Sequence, residues 1–60
     1  MTIKAIIIDY LTEEVLSTHW VNVVDLQDFV RKQFDHYNQE NRKIEIKILK
    51  STWHLTLNVL

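Results

Sequence analysis

From Lys43 to Val59 the chain alternates apolar and polar residues, and no other feature constrains its fold as tightly. Ile44, Ile46 and Ile48 alternate with Lys43, Glu45 and Lys47; beyond a polar break at Lys50-Ser51, Trp53, Leu55, Leu57 and Val59 alternate with Thr52, His54, Thr56 and Asn58. Successive side chains of a strand point to opposite faces, so each segment reads as a strand with one greasy side. Folding about Lys50-Ser51 sets Ile48 opposite Trp53, Ile46 opposite Leu55 and Ile44 opposite Leu57. A slip of one residue would turn one apolar set to the wrong face. A C-terminal hairpin follows.

Ile3 to Tyr10 reads as another strand. Its consecutive Ile6, Ile7 and Ile8 make both faces apolar, as expected of a strand inside a sheet. A helix is predicted over Asp25–Asn38, with Leu26, Phe29, Val30, Phe34 and Tyr37 on one face and Gln27, Asp28, Arg31, Lys32 and Asp35 on the other. Asp25 suits the N-cap, Val24 is placed to staple against Phe29, and Asp28 with Lys32 forms an (i, i+4) pair. Asn38 and Asn41 are candidates for left-handed stops. Leu11 to Asn22 admits two readings. Thr12-Glu13-Glu14 resembles a helix start, but Ser17 to Val21 is rich in β-branched and aromatic residues and favours a strand after a turn at Leu11–Glu14. The expected fold class is α+β: a four-stranded, mainly antiparallel sheet with one helix on one face, in the order β-β-α-β-β, with β-α-α-β-β as the alternative.

Sixty residues (1–60) form a single small domain, which hides only about 60% of the surface its unfolded chain exposes. Cysteine is absent, so disulfides and thiolate zinc sites are excluded and a second subunit becomes the natural source of extra burial. Glycine and proline are absent too, which rules out glycine-rich phosphate loops and leaves every turn to other residues. The apolar run Ala5 to Ile8 is too short for a signal-peptide core or a membrane span, so a cytoplasmic protein without membrane contact is expected. Net charge is −1, unevenly spread: residues 1–28 carry one lysine against five acids, residues 29–60 six bases against three acids.

Catalytic equipment is sparse. His36 and Glu40 stand four apart on the helix, as two metal ligands would, but a third would have to come from His19 or His54. A solvated helix flank is the simpler reading. Ser17 or Ser51 with a histidine and an aspartate spells a triad on paper, without the glycine-built nucleophile turn. No catalytic residue, metal or cofactor is therefore expected. Gln33 falls within the helix's apolar stripe, where an amide must find a partner or lie open.

The outward face of the C-terminal hairpin presents Lys43, Lys47 and His54, with Lys47 expected opposite His54. Together with Arg31, Lys32, Arg42 and Lys50 it suggests a phosphate-binding patch, weakened by Glu45 at its centre and by the lack of an aromatic residue projecting there. Trp53 has a core position opposite Ile48. Trp20 belongs either under the helix or on the far face as an interface anchor. That far face should collect Ile6, Ile8 and Tyr10 (or Ile3, Ala5 and Ile7), Leu49, Leu60, and either Leu16 with Trp20 or Val15 with Val21. One helix cannot cover both faces, and an uncovered apolar patch marks an interaction site. The sequence thus points to a small non-enzymatic binding or regulatory protein acting through protein–protein contacts. It would act as a homodimer joined face to face or along sheet edges, with a hetero-partner as the competing occupant. A nucleic-acid-binding module using the basic hairpin and helix flank is the alternative, and a metal- or histidine-dependent enzyme comes third. The candidate binding residues are Trp20, Lys43, Lys47 and His54.

Overall fold

The run of three isoleucines does what its apolar faces demand. In the computed structural model, β1 (Thr2–Asp9) lies between β2 (Val15–Asn22) and β3 (Ile44–Lys50), and β4 (Trp53–Asn58) pairs with the outer side of β3. All three pairings are antiparallel and the spatial order is β2-β1-β3-β4. The structure describes the backbone of residues 1–50 and 53–58 and the side chains of 1–50, 56 and 57. A short 3-10 turn (Val23–Asp25) leads from β2 into α1 (Leu26–Gln39), which crosses one face of the sheet. The architecture is the expected α+β class, β-β-α-β-β along the chain.

The helix settles which set of isoleucines faces inward. Ile3, Ala5 and Ile7 of β1, Val21 of β2 and Ile44, Ile46 and Ile48 of β3 are buried together. Leu26, Phe29, Val30, Phe34 and Tyr37 of α1 pack onto them, the five residues of the predicted stripe. Gln33 sits half-buried in that stripe, and among the described residues no buried side-chain nitrogen or oxygen lacks a partner.

Several local expectations need correction. The hairpin register is displaced by two: Ile48 faces Leu55, Ile46 faces Leu57, and Lys50, expected in the break, is the last residue of β3 and faces Trp53. Only two residues then separate the strands, the favoured hairpin length. A shift of two keeps each residue on its face, so the alternation alone could not detect it. Lys47 accordingly faces Thr56, and His54 faces Leu49. Ser51, Val59, Leu60 and the side chain of Trp53 lie outside the described residues.

The helix start also differs. Asn22, not Asp25, caps it: the Val24 N–H donates to Asn22 Oδ1 at 3.3 Å and opens the 3-10 turn. Asp25 makes no side-chain cap bond, because the turn before α1 has moved the cap three residues upstream. Val24 is left 84% exposed and staples nothing. At the other end Asn41 takes a left-handed φ of 56°, as expected, and the Arg42 N–H donates to the Tyr37 carbonyl at 2.9 Å. Asn38 stays within α1 and is not left-handed.

In the β1–β2 turn, Asp9 Oδ1 accepts from the Leu11 and Thr12 N–H groups at 2.9 and 3.0 Å, and Glu13 takes φ 63°. Tyr10 therefore belongs to the turn and not to the strand. A chain without glycine puts a glutamate where glycine would sit without cost.

Candidate binding surface

One cross-strand row defines the helix-free face. Trp20 of β2 pairs with Lys4 of β1, Lys4 with Leu49 of β3, and Leu49 with His54 of β4. The next row is Thr18, Ile6, Lys47 and Thr56, and the one after runs Val15, Ile8, Glu45 and Asn58. Directly opposed residues share a face, so the described side chains of these rows lie on the side away from α1. The face is mixed: on the two inner strands Ile6, Ile8 and Leu49 stand among Lys4, Lys47 and Glu45, and on the β2 edge Trp20 and Val15 flank Thr18. Ile8 is buried and Ile6 and Leu49 are half-buried, so the exposed apolar surface of this face lies at Trp20 and Val15.

A bulge decides which β2 residues reach this face. The register shifts between Ile7, opposite Ser17, and Ile8, opposite Val15, so Leu16 is the extra residue. Leu16 packs on the core, beside α1, together with Val21. Trp20 and Val15 turn the other way and remain 72% and 57% exposed. Strict alternation would have grouped Trp20 with Leu16 and Val15 with Val21; the bulge breaks both pairs. Beside Trp20 the sheet end forms an open depression of about 490 Å³ bordered by Met1, Ile3, Lys4, Leu49 and Lys50.

Of the four candidate residues, Trp20 and Lys47 are exposed on the helix-free face, and the backbone of His54 belongs to the Trp20 row. Lys43 is exposed just before β3, its carbonyl accepting from the Tyr10 N–H at 3.0 Å. The sequence missed Lys4, which pairing places between Trp20 and Leu49. Its signal lay in the β1–β2 register alone.

The wider basic patch does not assemble. Arg31 and Lys32 lie on the exposed flank of α1, bonded to Asp28 at 2.6 and 3.0 Å. Arg42 lies 3.8 Å from Asp9. Lys32, and then Arg31, hold the Asp28 carboxyl below its ordinary value. The Asp9 carboxyl is also lowered, chiefly by the Thr12 N–H, with Leu11 and Arg42 adding to it and partial desolvation opposing.

The histidines fall into two settings. Ser17 Oγ and His19 Nε2 share a hydrogen bond at 2.9 Å on the helix side of β2, and the His19 ring meets Phe29 edge-on at 5.2 Å. This pair satisfies a half-buried imidazole between sheet and helix. No carboxylate bonds to His19 among the described residues, so the third member of a triad is missing there. His36 is exposed on α1, 3.2 Å from Glu40. Among the described residues no group of three or more histidine, cysteine or acidic side chains is placed to hold a metal ion.

No helix among the described residues is long and apolar enough to cross a membrane. Comparison of the chain with protein-family models, curated proteins and solved structures finds no match.

Proposed function

We propose that this is a small, non-enzymatic, cytoplasmic binding protein that works by protein–protein contact through the helix-free face of its sheet, as a homodimer. The observation that carries the reading is Trp20, a tryptophan left 72% exposed on the β2 edge of that face, beside Lys4 and diagonal to Ile6. Tryptophan buries 150–250 Å² when covered, which makes it the strongest kind of interface anchor. The test is quantitative capture of host proteins by wild-type protein and by a Trp20→Ala/Lys47→Glu variant. A stoichiometric partner lost with the variant supports the reading; equal capture by both contradicts it.

One observation favours a second reading. Trp20 shares its face with Lys4 and Lys47, so an aromatic platform and two cations stand together as single-stranded nucleic acid would require. Glu45 on the same face and the net charge of −1 oppose it. Fluorescence anisotropy with a mixed single-stranded oligonucleotide separates the two. Binding that weakens as salt rises and disappears in Lys4→Glu/Lys47→Glu would establish this reading, and no binding at low salt would discard it.

A further inference from the structure

We infer that a second copy of this chain pairs antiparallel along β2, joining two four-stranded sheets edge to edge into one of eight strands. The inference rests on the homodimer reading and specifies its geometry. Among the described residues β2 is an edge strand hydrogen-bonded to β1 alone, and no described strand lies beside its outer N–H and C=O groups. Natural edges are defended by charge, proline or irregularity. β2 contains no charged residue and no proline, and its bulge at Leu16 leaves Ser17–Asn22 in regular register.

The exposed apolar surface gathers at the same place. Among the described residues, Val15 and Trp20 lie on β2, Tyr10 and Leu11 just before it, and Val23 and Val24 just after it. The seventh exposed large apolar residue, Met1, is tied to this segment because its carbonyl accepts from the Val23 N–H. The opposite edge strand, β4, is likewise without charged residues or proline, so it is the exposed apolar residues, among the described ones, that gather at β2.

A second copy is the occupant because the segment is self-complementary. An uncharged strand neither repels its own image nor selects a charged partner. Antiparallel two-fold pairing lays the beginning of one β2 against the end of the other. Residue 15 of each copy then lies opposite residue 23 of its partner, with residue 24 just beyond, apolar against apolar. A two-fold axis at His19 sets Trp20 beside the second copy's Thr18, both on the helix-free face. It sets Val21 beside Ser17, both on the helix side. Strand pairing alone covers less than the ~800 Å² per partner of a stable interface, and these flanking side chains extend it. The two Trp20 rings then flank the seam of one wide helix-free face, so the binding surface proposed above is shared between copies.

Single cysteines test this, since the chain has none of its own. His19→Cys lies at the proposed axis on the helix side, Thr18→Cys lies beside it on the other face, and Lys47→Cys lies in mid-face on β3. Each is oxidised gently at about 10 μM and its fold is checked by circular dichroism. At the axis His19→Cys directly opposes its own copy, within reach of a disulfide, whereas Thr18→Cys is offset from its copy by two residues, roughly 7–8 Å between Cα atoms and beyond that reach. Edge pairing therefore predicts dimers cross-linked at 19 at least tenfold faster than at 18 or 47, with loss of cross-linking when Trp20→Lys is added. Cross-linking at 18 or 47 as fast as, or faster than, at 19 overturns the edge geometry while leaving self-association standing. No cross-linking at any position above the rate at hundredfold dilution overturns both.

Discussion

Ile7 and Ile8 are neighbours on one strand, both nearly inaccessible, yet truncating them should have different consequences. Ile7 is 0% exposed and lies between the sheet and α1; Ile8 is 8% exposed, on the helix-free face, outside the main core. Replacing either by alanine removes three carbons, worth about 0.8 kcal/mol each in transfer free energy, or roughly 2.4 kcal/mol. Ile7→Ala also opens a void closed above by the helix, and the cavity raises the total to about 4 kcal/mol, within the usual range for such changes. Above Ile8 water can enter, so the cavity cost falls away and the loss stays near 2 kcal/mol. At roughly 0.05–0.15 kcal/mol per residue, a domain of this size holds only about 3–9 kcal/mol in total. Ile7→Ala should therefore be partly unfolded in buffer, whereas Ile8→Ala should unfold cooperatively at a lower urea midpoint. Urea titration followed by far-ultraviolet circular dichroism reads both. Equal losses, or a greater loss at Ile8, would refute the assignment of faces on which the proposed surface depends.

Other perturbations probe separate links. The Asp9 carboxyl is lowered in the fold, so its stabilisation is full above the ordinary 3.8 and is lost as pH falls through the lower folded value. Asp9→Asn should flatten that acid limb in thermal melts below about pH 4 and change little at neutral pH, since the amide oxygen still accepts from Leu11 and Thr12. Glu13 holds φ 63°, and Glu13→Gly should raise stability by about 1 kcal/mol in the urea titration. Asn41→Gly should gain much less, because asparagine tolerates the left-handed region. Trp20→Ala should leave the stability measured at nanomolar concentration within about 1 kcal/mol of wild type and lower it further at high concentration, where the ring is covered.

Periodicity made most of the fold legible. The five apolar residues of α1 recur at helical spacing, and Ile6-Ile7-Ile8 could only be comfortable inside a sheet. What escaped was whatever a period of two cannot encode. The hairpin register moved by two residues without altering a face. The Leu16 bulge reversed the partners of Trp20 and Val15, because a bulge adds one residue and leaves no mark on composition. The Asp25 cap gave way to Asn22 because two valines formed a 3-10 turn, a conformation with weak sequence preference. Of the candidate surface, Trp20 and Lys47 are conspicuous one by one in the sequence but not as neighbours on one face. Their association through Lys4 and Ile6 exists only once β1 is known to sit between β2 and β3.

The central claim is that one helix covers half of a two-sided sheet and that another copy of the chain covers the exposed edge. Sedimentation equilibrium from 1 to 100 μM measures this directly. The account predicts a mass rising from 7.3 kDa toward twice that value, with Trp20→Lys held at the lower figure. A wild-type mass of 7.3 kDa across the whole range would contradict it.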